Sequence, residues 1–352
     1  MRSSGVAARA RFAHVVLAAL SLVSASRSMR GQAASSANVI ETPNGRVEVL
    51  GLKRWTVDGL QDSLRAHAGY DLRTAGAHAC GAVLRYKLHF ADAASIEARD
   101  SAGAPYWIVT VTEPQDSARI HHHFLPLDTA GGRPDWASAR SIVQVHPSAM
   151  MAYILSAAYA NGAKAPSLRL RTAGDSAAVA ELRTFTAERS GLSDEREAMA
   201  ALQTDSSLND RLVAVTILAS FPQDDSAWAA LSQSWLESDG IVKGTAMSAL
   251  RGWVGAGKRP HDWVVVAPAV HAVFDGTSEF MMPELLHLFA QAKPDPALAK
   301  PFLRNGGTLL LAYAGAHLPS VRNAALGVLR SLSGKDFGTN VDQWRDWVRS
   351  LS

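Results

Sequence analysis

The chain has 352 residues, a formal net charge of +3 and a composition that is 47% hydrophobic, which is enough apolar material for a sizeable core. Its single cysteine, Cys80, excludes an intramolecular disulfide, so the core must hold the fold together. We expect Cys80 to be buried on an apolar helix face, and a disulfide with a second chain is the alternative.

Residues 1–33 have the layout of a secretory signal peptide. A basic start precedes an apolar run at 12–23, and small residues follow it. This run of 12 residues is too short to span a bilayer, which takes about 20. Removing 1–33 would take away five arginines and no acidic residue, changing the formal net charge from +3 to −2. We therefore expect an exported protein, periplasmic or secreted, whose charge disfavours nucleic acid as a partner.

The next part of the chain is expected to contain a spacer at 34–45 and a small α+β domain at 46–128. Alternating and β-branched residues predict strands, and apolar residues at helical spacing predict helices. The predicted order is β-α-α-β-β: a strand at 46–50, helices at 56–69 and 78–90, and strands at 95–99 and 106–112. A further strand at 119–127 can pair with the last one as a hairpin.

This order resembles the POTRA domain, a small periplasmic module of outer-membrane assembly and cell-division proteins. The residues that carry the resemblance are Val47, Val49, Gly51, Leu60, Leu64, Ile108, Val109, Val111 and Glu113. The chain has His89, Phe90 and Ala91 where the family has a tyrosine followed by glycine. The resemblance implies a protein-docking module whose sheet edge can receive another strand.

The second half of the chain is expected to be all helical. A transition segment at 129–175 should hold one helix, at 148–160, and a helical repeat domain should occupy 176–352. The predicted helices of that domain are 176–189, 194–203, 208–220, 225–237, 241–254, 263–274, 279–291, 296–314, 319–332 and 341–350. Turns rich in Gly, Pro and Asp separate them.

A short pattern recurs in this half: a basic residue, Ala three positions later and Leu seven positions later. The three copies are Arg211, Ala214 and Leu218; Lys243, Ala246 and Leu250; and Arg322, Ala325 and Leu329. The second copy starts 32 residues after the first and the third 79 after the second, which indicates a repeat of about 40 residues. One further match, at Arg65, Ala68 and Leu72, is expected by chance.

The pattern resembles that of the HEAT-repeat family, an armadillo-like α-solenoid of stacked helix pairs. Asp336, Phe337 and Gly338 precede a closing helix with Trp344 and Trp347, and similar endings occur in exported bacterial HEAT-repeat proteins. The resemblance implies that helix 341–350 caps the array, its tryptophans covering the last apolar face. Most tryptophans of this half lie at apolar helical positions and are expected in the core.

No residue stands out as catalytic, cofactor-binding or metal-binding. The chain lacks the nucleophile-elbow, zinc-protease and phosphate-loop motifs. The run His121–His123, with His146 downstream, is the one metal-like cluster. Only His121 and His123 would share a side of a strand, and two imidazoles without a carboxylate make a poor zinc site.

We therefore predict a non-catalytic protein-binding or scaffold protein of the bacterial cell envelope, without a cofactor and with another protein as its partner. The second helix of each pair should form the docking surface, while Lys243 and Arg322 stabilise neighbouring repeats. A small-molecule ligand and nucleic acid are not expected, nor is a membrane span after signal removal. The alternatives are an envelope enzyme with a scattered active site and a metal-binding protein that uses the histidine cluster.

Overall fold

The described part of the chain begins with a four-stranded sheet. The computed structural model describes residues 38–75, 77–125, 132–159, 170 and 172–352, so the predicted signal peptide lies outside it. The strands are Val39–Thr42 (β1), Gly45–Leu50 (β2), Asp92–Arg99 (β3) and Pro105–Thr112 (β4). They are ordered β1-β2-β4-β3, with β2 parallel to β4 and the other pairs antiparallel. Strand β1 was not expected, because it lies within the predicted spacer.

The parallel pairing of β2 and β4 needs a crossover, and three helices supply it. They are Val57–Ala68 (α1), Leu72–Ala75 (α2) and Cys80–Lys87 (α3). Helix α1 begins where the Thr56 side chain accepts the amide of Gly59, and it ends at Gly69 in the left-handed conformation (φ 60°). These helices cover one face of the sheet and share a core with it, and this core includes Cys80.

The prediction of a strand at 119–127 is wrong for the residues that the structure describes. Strand β4 already has a neighbour on each side, so its backbone has no free edge for a hairpin partner. The chain instead forms a 3₁₀ turn at Pro114–Arg119 and then crosses to the helices. There His123 makes a single parallel bridge with Glu237.

Helices form the rest of the described chain. Their bounds are Ala137–Val145 (α4), Pro147–Ala157 (α5), Ala173–Ala187 (α6), Leu192–Thr204 (α7), Leu208–Leu218 (α8), Asp225–Gln233 (α9), Gly240–Gly255 (α10), Ala267–Asp275 (α11), Met282–Ala292 (α12), Ala299–Leu303 (α13), Thr308–Ala314 (α14), Pro319–Ser333 (α15) and Val341–Arg349 (α16).

Two of the predicted helices differ from the observed ones. The transition segment holds two helices, α4 and α5, because Pro147 starts a new helix at a position where a missing amide costs nothing. The predicted helix at 296–314 is divided into α13 and α14. Asn305 (φ 57°) and Gly307 (φ 79°) lie between them, and two residues with positive φ cannot continue a right-handed helix.

From α7 onward the helices pack in two layers. Helices α8, α10, α12 and α15 contact one another in that order, and each packs on the helix that precedes it in its pair. The preceding helices α7, α9 and α11 also contact in order, and α11 continues to α13 and α14. Helices α4 and α5 lie against α8 and α10.

The sheet and the helices belong to one compact unit that spans residues 34–352. The second face of the sheet supplies Leu50, Tyr106 and Ile108 to the large core of the helical layers. The closing helix α16 buries Trp344 and Trp347 in the same core, as expected. None of the helices in the described parts of the chain combines the length and apolar character that crossing a membrane requires.

Candidate functional site

The recurring basic residues join successive helix pairs. Arg211 at the start of α8 forms a buried ion pair with Glu237, which precedes α10. Lys243 at the start of α10 donates to the hydroxyl of Ser278, which precedes α12, at 3.3 Å. Each basic side chain therefore contacts the turn within the next pair.

Arg322 occupies the same position in α15, but its hydrogen bonds stay within its own helix pair and are not the expected contact with a neighbouring repeat. It donates to the backbone carbonyls of Ala316 and His317, in the turn that precedes its own helix. The Ala and Leu positions of all three copies are buried. In the chance match, by contrast, the side chain of Arg65 is 44% exposed and pairs with Asp71. The contacts thus separate the three array copies from the chance match.

The predicted docking surface on the second helices is already occupied. In α8 every residue from Asp210 to Leu218 is buried, and most of α10 is buried as well. Helices α4 and α5 of the same chain lie against them. The prediction that a partner docks on these helices is therefore wrong for α8 and α10, because the chain fills that surface itself.

The face of the sheet that meets the helices is polar. Glu48, Asp92, Thr110 and Thr112 are all buried there. Alternate residues of the same strands, such as Val47 and Val109, face the other core. A buried carboxylate is costly unless hydrogen-bond donors surround it, so the helices must supply them.

Glu48 receives its donors from the turn between α14 and α15. Its Oε1 accepts the amide of His317 at 2.6 Å and lies 3.1 Å from the Nδ1 of the same residue. Its Oε2 accepts the hydroxyl of Tyr106 at 2.8 Å and the amide of Leu318 at 3.3 Å. Both oxygens of this carboxylate are therefore engaged.

Asp92, at the start of β3, connects the sheet with three other segments. Its Oδ2 accepts the amide of Ser278 at 2.7 Å and lies 3.0 Å from Nε2 of His122. Its Oδ1 lies 3.7 Å from Arg85 on α3. Burial alone would raise the pKa of Asp92, but the hydrogen bond from His122 and the charges of His122 and Arg85 hold it below its ordinary value.

Glu279 adjoins Asp92, and its pKa is shifted in the opposite direction. It is fully buried, and its Oε1 accepts the hydroxyl of Thr112 at 2.7 Å. Burial, reinforced by the negative charge of Asp92, raises its pKa well above the ordinary range. Burial also lowers the pKa of Lys243 nearby. The pKa values of these two neighbouring carboxyl groups are thus shifted in opposite directions.

The histidine run is not arranged as a metal site. His122, rather than His121 or His123, makes the buried contact with a carboxylate. His123 joins the backbone of the turn before α10, and the amide of His121 donates to Thr277. His146, which lies between α4 and α5, pairs with Asp175. In the part of the chain that the structure describes, no three His, Cys, Asp or Glu side chains are placed to hold a metal ion.

Cys80 lies in the core between the sheet and helices α1 to α3. It is a free, fully buried cysteine, and burial raises its pKa to about 12. A thiol without surface exposure cannot reach a second chain, so the contacts favour the buried-filler interpretation over the intermolecular disulfide.

Glu113, which follows β4, fixes the loop after β2. One oxygen of its carboxylate accepts the amides of Lys53, Arg54 and Trp55 at 2.7–3.1 Å. This carboxylate is fully buried and closes the β2–α1 connection. Its role is structural, because its bonds go to backbone of the same region.

Two features of the surface remain open to ligands. A cleft of about 840 Å³ lies between the end of β2, α14 and α16. Elsewhere, β3 forms one edge of the sheet, and the residues of its second half, from Ser95 to Arg99, are partly or fully exposed.

Exposed aromatic side chains surround the start of β3. Tyr86 and Phe124 are each 72% exposed, and Phe280 is 42% exposed. Each adjoins a contact of Asp92: Tyr86 follows Arg85, Phe124 packs on His122 with ring centroids 5.9 Å apart, and Phe280 follows Glu279. Asp92 therefore organises three segments that each expose an aromatic ring. No local pattern predicts this grouping, since the segments are far apart along the chain.

The chain matches no protein-family model, no curated protein and no solved structure.

We expect the two arginines of the repeat pattern to differ in their contribution to stability. Arg211→Ala would leave Glu237 buried without its partner and should lower the free energy of unfolding by about 3–5 kcal/mol. Arg322→Ala removes only two bonds to carbonyls from a partly exposed side chain and should cost about 1 kcal/mol. Urea unfolding at pH 8 measures both. Equal losses in the two variants would contradict the inter-pair role of Arg211.

We expect the stability of the Glu279→Gln variant, relative to the wild type, to increase as pH rises. The folded pKa of Glu279 lies above its unfolded value. The stability that this carboxyl group contributes is therefore fully present below the unfolded pKa, about 4.3, and is lost as pH rises through the folded pKa. Glutamine resembles the protonated carboxyl and lacks this loss. Urea midpoints at several pH values between 5 and 9 should show the difference between variant and wild type growing in favour of the variant.

The exposed Glu181→Gln is the control, and its difference from wild type should stay constant over this range. A Glu279→Gln difference that is flat, or that shifts toward the wild type with rising pH, would show that Glu279 is ionised in the folded protein.

Proposed function

We propose that the chain is a non-catalytic protein-binding or scaffold protein of the bacterial cell envelope, whose partner docks along the outer edge of β3. The observation that carries the proposal is the exposed edge of β3, with Tyr86, Phe124 and Phe280 exposed around the start of the strand. A free strand edge offers backbone hydrogen bonds to an added strand. Exposed aromatic rings provide large contact area, as they do at the centres of protein interfaces.

The POTRA-like assignment is part of this proposal. The order of β2, the crossover helices α1 to α3, β3 and β4 supports it, as does the parallel pairing of β2 with β4 beside antiparallel β3. In such a module the strand after the crossover helices lies at the sheet edge, which is the position of β3 here. The family's way of adding a strand would then use the same edge.

The HEAT-like assignment is also part of this proposal. Its support is the two-layer packing of successive helix pairs, together with the bonds from Arg211 and Lys243 to the next pair. In this proposal the array serves as a rigid frame for the sheet, because its second helices are covered from within the chain. The proposed docking surface is therefore the sheet edge and not the helical array.

Export to the envelope is supported by the sequence of residues 1–33, with its basic start and short apolar run. An edge strand beside exposed aromatic side chains can also pair with other chains and promote aggregation when the protein has no partner. A permanent or frequent partner in the envelope would remove that hazard.

An envelope enzyme is the second candidate, and one observation favours it. Asp92 and Glu279 are neighbouring carboxyl groups whose pKa values are pushed apart, which is the arrangement expected of an acid–base pair. Both are buried, and neither lines the cleft described above. Their bonds to Ser278 and Thr112 serve the packing of the sheet on the helices, so the binding proposal accounts for more of their contacts.

Site-specific photo-crosslinking tests the docking edge. The full chain would carry a photo-reactive amino acid at Glu97, exposed on β3, or at Val264, which is 49% exposed in a turn of the helical layers. After incubation with envelope extract of the source bacterium, we expect one discrete protein adduct at position 97 and none at 264. Unlabelled wild-type chain should compete with the adduct.

Replacing Tyr86, Phe124 and Phe280 together by Ser should abolish the adduct at position 97. The matched control is Val264→Ser, which removes an exposed apolar side chain elsewhere and should leave the adduct unchanged. No adduct at position 97, or an adduct that survives the triple substitution, would contradict docking at this edge.

A further inference from the structure

The cleft between β2 and the last helices has walls of regular geometry. One wall is the face of α14 that carries Thr308, Leu311, Ala312 and Gly315, at the spacing of one helix side. Opposite it, α16 presents the residues Val341, Arg345, Val348 and Arg349. The end of β2 and the loop after it, 50–53, form the third side. A volume of about 840 Å³ is in the range of sites for single small ligands.

The rim of this cleft is cationic. The side chains of Lys53, Arg345 and Arg349 line it and are 41%, 43% and 72% exposed. Three basic side chains on one cleft contrast with a chain whose net charge is only +3, or −2 without residues 1–33. A concave surface lined by one sign of charge concentrates ligands of the opposite sign.

The acidic partners of these residues are not part of the cleft lining; that of Lys53 is Asp116, 2.8 Å from its Nζ and 16% exposed. Arg345 contacts Asp342, and Arg349 lies 3.5 Å from Asp346; both aspartates are at least 75% exposed and are not part of the lining. Ion pairs on such exposed surfaces contribute between zero and about 1 kcal/mol. The guanidinium groups can therefore exchange these aspartates for a bound anion.

Glu48 is the one acidic side chain in the lining, and its hydrogen bonds are already formed. Its two oxygens accept from Tyr106, His317 and Leu318, so it belongs to the wall of the cleft rather than to the rim. The rest of the lining combines aliphatic side chains, among them Leu50, Leu311 and Val348, with the polar residues Asn305, Thr308 and His317. The cleft thus offers aliphatic surface beside basic side chains at its opening.

We propose that this cleft binds an anionic single-chain amphiphile. The carboxylate or phosphate head would lie between Lys53, Arg345 and Arg349, and the alkyl chain would lie against Leu311 and Val348. The cationic rim accounts for selectivity between anions and cations, and the aliphatic surface accounts for affinity through apolar burial. The proposal goes beyond docking at β3, since the cleft is formed by other elements.

Calorimetric titration of the full chain with dodecanoate below its micelle concentration tests this proposal. We expect saturable binding of one dodecanoate per chain, with butyrate and dodecyltrimethylammonium both binding at least about tenfold more weakly, because the first lacks the chain and the second has the wrong charge. Dodecyl phosphate is the second anionic probe. Tighter binding of dodecyl phosphate would identify a lipid phosphate as the source, and tighter binding of dodecanoate would identify a fatty acid.

The double variant Arg345→Gln and Arg349→Gln should weaken dodecanoate binding about tenfold or more without changing the thermal midpoint, because both side chains are exposed. Arg330→Gln is the matched control, since Arg330 forms a similar exposed pair with Asp336 and does not line the cleft. Leu311→Asn tests the chain-binding wall and should also weaken dodecanoate.

Three results would overturn the proposal: no saturable binding of dodecanoate, equal binding of dodecanoate and the ammonium amphiphile, or unchanged affinity in the double arginine variant. The crosslink at Glu97 should be unaffected by Arg345→Gln and Arg349→Gln. The failure of one proposal is thus distinguishable from the failure of the other.

Discussion

The burial of Glu48 and Asp92 is the constraint on which this fold depends. Each carboxylate lies on the second face of the sheet. Tyr106 of β4 donates to Glu48, but both carboxylates also need donors from outside the sheet. The amides of His317 and Ser278, far along the chain, supply them. Hydrogen bonds to charged groups stabilise by about 1.5–3 kcal/mol each, and losing them would leave buried charges unpaired. The sheet and the helices must therefore form together.

This constraint decides which surfaces remain for function. The sheet packs on the turn before α12 and on the turn before α15, while α4 and α5 cover α8 and α10. The surface that a helical array would ordinarily offer to a partner is thereby used within the chain. The edge of β3 from Ser95 to Arg99 and the cleft beside α16 are among the surfaces that stay exposed. The raised pKa of Glu279 has the same origin, because burial and the neighbouring charge of Asp92 both disfavour its ionised form.

Local structure could be predicted from the sequence, whereas long-range partners could not. The predicted strands at 46–50 and 106–112 and most of the helices agree with the structure, because caps such as Thr56 and apolar spacing are local signals. Burial of the alternate residue Glu48 is invisible in its own strand, where a polar residue between valines predicts a solvated face. The strand predicted at 119–127 failed for a related reason: its residues suit a strand, but β4 has no free edge. Likewise, no local pattern brings His122 or Glu279 to Asp92.

Native-state hydrogen exchange of the interface amides tests the coupling of sheet and helices most directly. If the buried carboxylates hold the two parts together, the amides of Ser278 and His317 should open with the same free energy as the central amide of Val109 in β4, which requires global unfolding. Exchange of Ser278 and His317 at a clearly lower free energy, while Val109 stays protected, would contradict the account, because the sheet would then separate from helices that remain folded.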